Sequence, residues 1–299
     1  MEATGPLFKI EPSLIPPRDL EALCKYSQAE LGEDPSSQYF MPRQKSIGFV
    51  VYIDGEFFAL QQNFFIQNAK YNDFSGGYKR FYKTIPDWLI QGHMKNALKA
   101  FVDTYQLPNY ACILVQLQKS TIPSGMDIPN FDITGQGIHT DGAERAMLVC
   151  IERKNVSGGS NCLYEDINGA KKIMPQTVLE KGDSLFFKDN EIYHYVNDTK
   201  PKDSSKDMTR TMLIAHYPAN AFLFGKENPQ NQLLRGEAVH KLRGNSPDAA
   251  PSSRQASHTC FVNCNNQSLR TIPTTLKLLE QSSQIQVGLL RKFDPFHYA

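Results

Sequence analysis

Between Ala111 and Pro218 the chain passes through a series of short apolar stretches separated by turns, with no helical period between them. Arg145–Glu152 is short, mostly apolar and flanked by charge, so it reads as a strand. Val156-Ser-Gly-Gly159 is a turn, because paired glycines accept positive φ without steric cost, and Asn161–Tyr164 starts the return strand. Glu180-Lys-Gly-Asp183 turns again into a strand at Ser184–Phe187. Glu191–Val196 alternates in period two, so His194 shares a face with Ile192 and Val196. Thr209–Tyr217 is a last strand. Strands this short and closely spaced form a sandwich or a jelly-roll barrel, whose mouth gathers side chains distant in sequence.

One constellation needs such a mouth. His139-Thr140-Asp141 places a histidine and a carboxylate one residue apart, and His194 adds a second imidazole. Two imidazoles and one carboxylate are the facial triad that holds non-haem Fe(II) and leaves positions open for oxygen chemistry. Arg210 follows His194 by 16 residues (210 − 194), enough for one strand, a polar loop over Asn197–Asp207 and entry into the next strand. An arginine there can grip the carboxylate of an organic co-substrate with its planar fork. His-x-Asp alone is a weak signal in a chain with 7 histidines, so the strands around it supply the specificity. Taken singly, each of these residues has a bland reading: a strand histidine bonded to a carbonyl, or an arginine paired with a surface acid. Their joint order, with the glycine-rich turns and the family resemblance that these residues carry, favours a metal oxygenase. His216, on the last strand, reads as a barrel residue.

Together, Gly137-Ile-His-Thr-Asp-Gly142, Arg153-Lys-Asn-Val-Ser-Gly-Gly159, His194 and Arg210 resemble the Fe(II)/2-oxoglutarate dioxygenases of the free-amino-acid hydroxylase type, over roughly Ala111–Pro218. Bacterial isoleucine dioxygenase is a member. The resemblance implies a mainly β fold with flanking helices, a double-stranded β-helix (jelly roll, cupin-like). It implies His139, Asp141 and His194 as iron ligands, Arg210 on the distal carboxylate of 2-oxoglutarate, and Fe(II), 2-oxoglutarate and O2 as cofactors. The expected substrate is a small amino-acid-type molecule, activated at an unactivated C–H bond. Hydroxylation is the usual outcome. The kainoid synthases of algae and diatoms, which are similar proteins, instead close a ring on N-prenylated glutamate derivatives, and the two outcomes stand nearly level. Two departures from the family pattern alter the expected polar lining near the metal. Thr140 stands where relatives often carry a basic residue, and Gln116 and Gln118 stand where they frequently place an arginine. Gln116 is accordingly a cofactor-binding candidate beside Arg210. A dicarboxylate substrate would need further cationic donors, for which Arg153 and Lys154 are candidates, although Arg153 suits a structural role better.

On this reading the 299 residues form a single oxygenase domain. Residues 1–110 supply N-terminal helices and a hairpin packing on the barrel, 111–218 the jelly-roll core with the metal site, and 219–299 a C-terminal extension. Asp19–Tyr26 fits a short helix after Pro16-Pro17. Lys45–Ile53 and Glu56–Gln61 form a hairpin about Asp54-Gly55, a pair suited to a type I′ turn. Asp87–Tyr105 has the best helical spacing, and its His93 reads as structural or exposed rather than as a ligand. Tyr71–Tyr78 is an aromatic, glycine-rich loop that either covers the site or lies on the surface. Gly244–Ser257 reads as a mobile loop and Leu276–Leu290 as a terminal helix.

Lys+Arg 32 against Asp+Glu 31 leaves a net charge of +1, without a basic stripe, which argues against nucleic acid or an anionic membrane as partner. No apolar run approaches the ~20 residues needed to span a bilayer, and the N-terminus lacks a leader pattern. The 6 dispersed cysteines read as reduced thiols in a cytoplasmic protein. Cys260-x-x-x-Cys264 with His258 lacks a second ligand pair for zinc. Two alternatives come from other classes: a zinc-dependent hydrolase on the same triad, and a non-catalytic jelly-roll binding protein that keeps a metal for stability. The first gives Arg210 no task and names no general base.

Overall fold

The computed structural model describes residues 5–36, 42–72, 75–126 and 136–223, all within the unit Met1–Asn245. The expected loop at Gly244–Ser257, the helix at Leu276–Leu290 and the Cys260, Cys264 and His258 group lie outside these residues. In chain order the first strands are β1 (Phe8–Glu11), β2 (Arg43–Ile53), β3 (Glu56–Leu60), β4 (Phe64–Phe65), β5 (Arg80–Phe81) and β6 (Lys83–Thr84). Then come β7 (Cys112–Ile122), β8 (Arg145–Lys154), β9 (Val156–Gly158), β10 (Asn161–Tyr164) and β11 (Lys172–Thr177). The last are β12 (Ser184–Phe187), β13 (Tyr193–Val196), β14 (Thr199–Pro201) and β15 (Met208–Tyr217). The helices are α1 (Pro17–Ala29), α2 (Asp87–Leu89) and α3 (Lys95–Tyr105).

The main sheet runs β1-β12-β8-β15-β7-β2-β3, antiparallel throughout, with β6 added parallel to β2. Two smaller sheets, β11-β10-β13 and β14-β9, complete the barrel. From β7 onward the chain visits the main sheet (β7, β8), the smaller sheets (β9 to β11), the main sheet (β12), the smaller sheets (β13, β14) and the main sheet again (β15). This alternation makes a double-stranded β-helix, as the strand spacing predicts.

Period two on the long strands separates two environments. Ile113, Val115 and Leu117 of β7, Met147 and Val149 of β8, and Leu213 and Ala215 of β15 are buried against the helical layer. In α3 the buried residues Ala97, Leu98, Phe101, Val102 and Tyr105 recur at helical spacing and meet that face. Burial of Phe101 alone contributes about 1.5–3 kcal/mol. The opposite face of the same strands carries Gln116, Gln118, Leu148, Arg210, Met212, Ile214 and His216 toward a cavity. The site is therefore built on the reverse of the hydrophobic core.

The predicted helix over Asp87–Tyr105 is present but interrupted, since Ile90–Met94 form a wide π-turn between α2 and α3. That turn keeps Ile90 and Met94 fully buried, while His93 pairs through Nδ1 with Asp19 Oδ1 at 2.9 Å. The predicted hairpin also forms, with Asp54 and Gly55 at φ 48° and 90°, both positive as its turn requires. Instead of packing onto the barrel, however, this hairpin extends its sheet: β2 pairs with β7 from Arg43↔Ser120 to Val51↔Cys112. Arg43 and Lys45 thereby enter the cavity wall.

The glycine pair after β9 has a steric reason. At Gly159 (φ +68°) a Cβ would lie 2.7 Å from Thr199 Cγ2, so only glycine lets β14 approach this closely.

Candidate metal centre

His139 and His194 are joined backbone to backbone before their side chains meet. His139 N donates to His194 O at 3.0 Å, and His194 N donates to His139 O at 2.8 Å. This isolated bridge brings the imidazole centroids to 4.2 Å. Asp141 closes the group: Oδ1 lies 3.7 Å from His139 Nε2 and Oδ2 lies 3.6 Å from His194 Nε2. One ligand atom from each of the three falls within 4.8 Å of the others, the one such group found among the described residues.

The surroundings orient these atoms. His139 Nδ1 donates to Gly137 O at 2.9 Å, which leaves the Nε2 lone pair facing the group. Asp189, fully buried, accepts the backbone N–H of Asp141, Gly142 and Ala143 at 2.9–3.1 Å and lies 3.4 Å from His194 Nδ1. One carboxylate thus pins the loop bearing Asp141 and faces the His194 ring, whose buried Nδ1 makes no hydrogen bond.

Asp141 is held in turn by two polar chains. In the first, Lys45 Nζ donates to Gln116 Oε1 (3.1 Å), Gln116 Nε2 to His216 Nδ1 (3.2 Å), and His216 Nε2 to Asp141 Oδ2 (2.9 Å). In the second, Arg80 Nη1 donates to Ser75 Oγ (2.8 Å), Ser75 N to Asn72 Oδ1 (2.8 Å), Asn72 Nδ2 to Gln67 Oε1 (2.7 Å), and Gln67 Nε2 to Asp141 Oδ1 (3.3 Å). Every donor in both chains points toward the carboxylate.

Burial by itself would raise the Asp141 carboxyl, but the hydrogen bonds of His139 and His216 and the charges of His216 and His194 hold it well below the usual range. For His139 burial works downward, yet Asp141 and the Gly137 carbonyl raise it above its ordinary value. A carboxylate kept ionised between two imidazoles whose Nε2 atoms converge suits a divalent cation, whose binding requires both imidazoles neutral.

The group opens into a cavity of about 120 Å³. At roughly 10–15 Å³ for one water, that is the scale of a small organic molecule. Arg210 lines it, only 6% exposed, and makes no hydrogen bond or ion pair with the described residues. Burial, with Arg153 beside it, pushes its guanidinium down to about 10, so it stays charged at neutral pH. Gln116 and Gln118 also line the cavity, but both ends of the Gln116 amide are occupied by Lys45 and His216. Thr140 lies apart from it, in a second cleft that shares His139 and Gln136 with the cavity. Arg153 is used structurally: its Nη2 donates to Gly158 O at 2.6 Å and to Val156 O at 3.3 Å. Lys154 is exposed.

Sequence reasoning missed His216, Asp189, Gln67, Lys45 and Arg80. For His216 a signal exists, since it stands six residues after Arg210 on one strand and so shares its face. Of the loop at 71–78, Asn72 and Ser75 line the cavity, and Tyr71 lies against Gly142.

Known proteins give this arrangement its context. A curated protein of Aspergillus flavus, the bifunctional enzyme flvA, is 29% identical over 122 residues, which are 37% of this chain and 14% of that protein. The chain therefore corresponds to a small part of that relative. A bsmA homolog from Methylobium petroleophilum shares the fold with TM-score 0.53 at 19% identity, over 72% of this chain and 85% of that one. IDO from Bacillus thuringiensis does so with TM-score 0.52 at 13% identity, over 70% and 89%. The family model described as 2OG-Fe dioxygenase matches residues 25–216, more than half the chain. The chain belongs to the 2OG-Fe dioxygenase family, whose members are oxidoreductases that use Fe(II), 2-oxoglutarate and O2.

Proposed function

We propose that His139, Asp141 and His194 hold the Fe(II), that Arg210 pairs with the distal carboxylate of 2-oxoglutarate, and that the enzyme activates a C–H bond of a small amino-acid-derived substrate. The observation that carries this reading is the convergence of three donor atoms within 4.8 Å in a cavity that also contains a buried, unpaired guanidinium. Membership of the family argues against the zinc-hydrolase and non-catalytic alternatives.

When bound, Fe(II) with 2-oxoglutarate and O2 supplies the oxidising power that breaks an unactivated C–H bond. The chain supplies placement. His139 and His194 present Nε2, with their Nδ1 atoms turned to Gly137 O and Asp189. His216 and Gln67 fix the rotation of the Asp141 carboxylate. Arg210 orients the co-substrate by a two-point grip. Leu148, Met212 and Ile214 line the cavity and exclude water. Gln116 acts through Lys45 and His216 rather than by touching the co-substrate.

The substrate reaction is either hydroxylation or ring closure of the kainoid synthase kind, in which an N-prenylated glutamate becomes a pyrrolidine dicarboxylate. Anaerobic addition of Fe(II) and 2-oxoglutarate to the full chain gives a weak visible charge-transfer band. His139→Ala or Asp141→Ala abolishes it, and Arg210→Ala weakens 2-oxoglutarate binding roughly 100-fold. A band that survives loss of His139 refutes the ligand set. Mass spectrometry of products from free amino acids and N-alkylated glutamates separates the outcomes. Gain of one oxygen marks hydroxylation, and loss of two hydrogens marks ring closure or desaturation.

A further inference from the structure

The cavity has a second cationic wall. Across the main sheet, Lys45 of β2 is registered with Gln118 of β7, which is registered with Met212 of β15. Lys45 therefore sits two strand spacings, about 10 Å, from the strand that carries Arg210. Arg80, on β5, joins Lys45 in the cavity lining.

Arg80 is 3% exposed, and its Nε and Nη2 have no hydrogen-bond partner, although Nη1 donates to Ser75 Oγ. Its guanidinium stacks on Phe65, with Cζ 4.5 Å from the ring centroid, so its plane is fixed. No carboxylate of the described residues lies within 4.0 Å of it. Lys45 is 6% exposed and shares one carboxylate, Asp34, with Arg43: Asp34 Oδ2 is 2.6 Å from Arg43 Nε but 3.7 Å from Lys45 Nζ. A buried guanidinium without a counter-charge is costly, and so is a buried ammonium holding half a partner. An anion from outside the chain relieves both.

We propose that Arg80 and Lys45 form the substrate's carboxylate site, so that the enzyme selects an acidic substrate and binds it opposite the 2-oxoglutarate clamp at Arg210. This rests on the proposed Fe(II)/2-oxoglutarate reading of the cavity. Arg80 offers its free fork edge to a carboxylate, and Lys45 adds a third donor beside it. Burial, with Arg43 and Arg80 adding to it against Asp34, pushes Lys45 down to about 7, so an arriving carboxylate restores its full charge. The Ser75–Asn72–Gln67 and Gln116–His216 chains tie these two cations to Asp141, which fixes the carboxylate site relative to the metal ligands.

The test uses the full chain loaded anaerobically with Fe(II) and 2-oxoglutarate. The probes are free amino acids and N-alkylated glutamates, each beside its carboxamide analogue, read by perturbation of the visible band. In the wild type the carboxylates perturb the band and the amides do not. Arg80→Gln weakens the carboxylate response roughly 100-fold and erases discrimination against the amides, with 2-oxoglutarate affinity unchanged. Arg80→Lys, which keeps charge without the fork, and Lys45→Gln fall between, and they serve if Arg80→Gln does not fold. The proposal is overturned if no carboxylate perturbs the wild-type band, if discrimination survives in Arg80→Gln or stays at the wild-type level in Arg80→Lys and Lys45→Gln, or if Arg80→Gln lowers 2-oxoglutarate affinity instead. Absence of any band in the loaded wild type strikes the underlying metal-site reading, a distinct failure.

Discussion

Asp189 gives the sharpest test of how the metal centre is held. Its carboxylate is fully buried and accepts three backbone N–H groups, from Asp141 at 3.0 Å, Gly142 at 2.9 Å and Ala143 at 3.0 Å, through Oδ2. A hydrogen bond to a charged acceptor contributes about 1.5–3 kcal/mol. Three such bonds are not additive, and water entering the vacated space recovers part of the loss. Asp189→Ala should then destabilise the protein by about 3–5 kcal/mol, read from urea unfolding followed by circular dichroism. Asp189→Asn separates the two tasks of the side chain. Its amide oxygen still serves the backbone donors, which limits the stability loss to about half. Its amide nitrogen faces His194 Nδ1 across the present 3.4 Å and donates to it, which drives the ring proton onto Nε2. Fe(II) affinity should fall roughly 10- to 100-fold, measured against a competing chelator. Asp189→Ala within about 0.5 kcal/mol of wild type, or Asp189→Asn binding iron normally, would refute this account.

Three further outcomes follow from the same geometry. Gly142 stands at φ +89° with a hypothetical Cβ 2.5 Å from Tyr71 Cδ2, so Gly142→Ala should cost about 1–3 kcal/mol in urea unfolding and should displace the Asp141 loop. His216→Ala removes the donor to Asp141 Oδ2 and should lower Fe(II) affinity roughly 10-fold in the chelator assay, with Gln116→Ala moving it the same way by less. Burial and its cationic neighbours hold Lys45 near 7, against about 10.4 in the unfolded chain. As pH falls from about 10 to about 7 the unfolded chain takes up that proton first, so the substrate-free protein loses stability across this window and levels off below it. Lys45→Met should flatten the profile, and a wild-type protein whose stability increases as pH falls through the same window would contradict the burial of this lysine.

The barrel was legible because period two is a local signal: the strand at Thr209–Tyr217 appears nearly where expected, whereas Val156–Gly158, read as a turn from its paired glycines, is the short strand β9 and the chain reverses at Asn155 instead. His139, Asp141, His194 and Arg210 could be singled out because their order and spacing form a pattern, and they come together in one cavity. The supporting residues were not legible, because their significance depends on tertiary register. Nothing in Phe187-Lys-Asp-Asn190 announces that Asp189 will reach three backbone donors some fifty positions earlier. Lys45 reads as an ordinary hairpin cation until β2 pairs with β7 and carries it inside, and Arg80 falls between the elements the sequence marks. The π-turn at Ile90–Met94 escaped for a similar reason, since a helical wheel assumes unbroken phase.

The unbroken pleat of β15 links chemistry to inheritance. Arg210, Met212, Ile214 and His216 hang from alternate positions of one ten-residue strand. Loss of one residue between Arg210 and His216 would rotate one end of that series onto the helix-packed side. The co-substrate clamp or the prop beneath Asp141 would vanish in one event, while a similar deletion between Lys202 and Asp207 would break hydrogen bonds to Asn155 and Gly125 but leave the cavity-facing series in phase. Drift in such a lineage can therefore lengthen or trim the connecting segments, but it must pass this strand on as a single uncut unit.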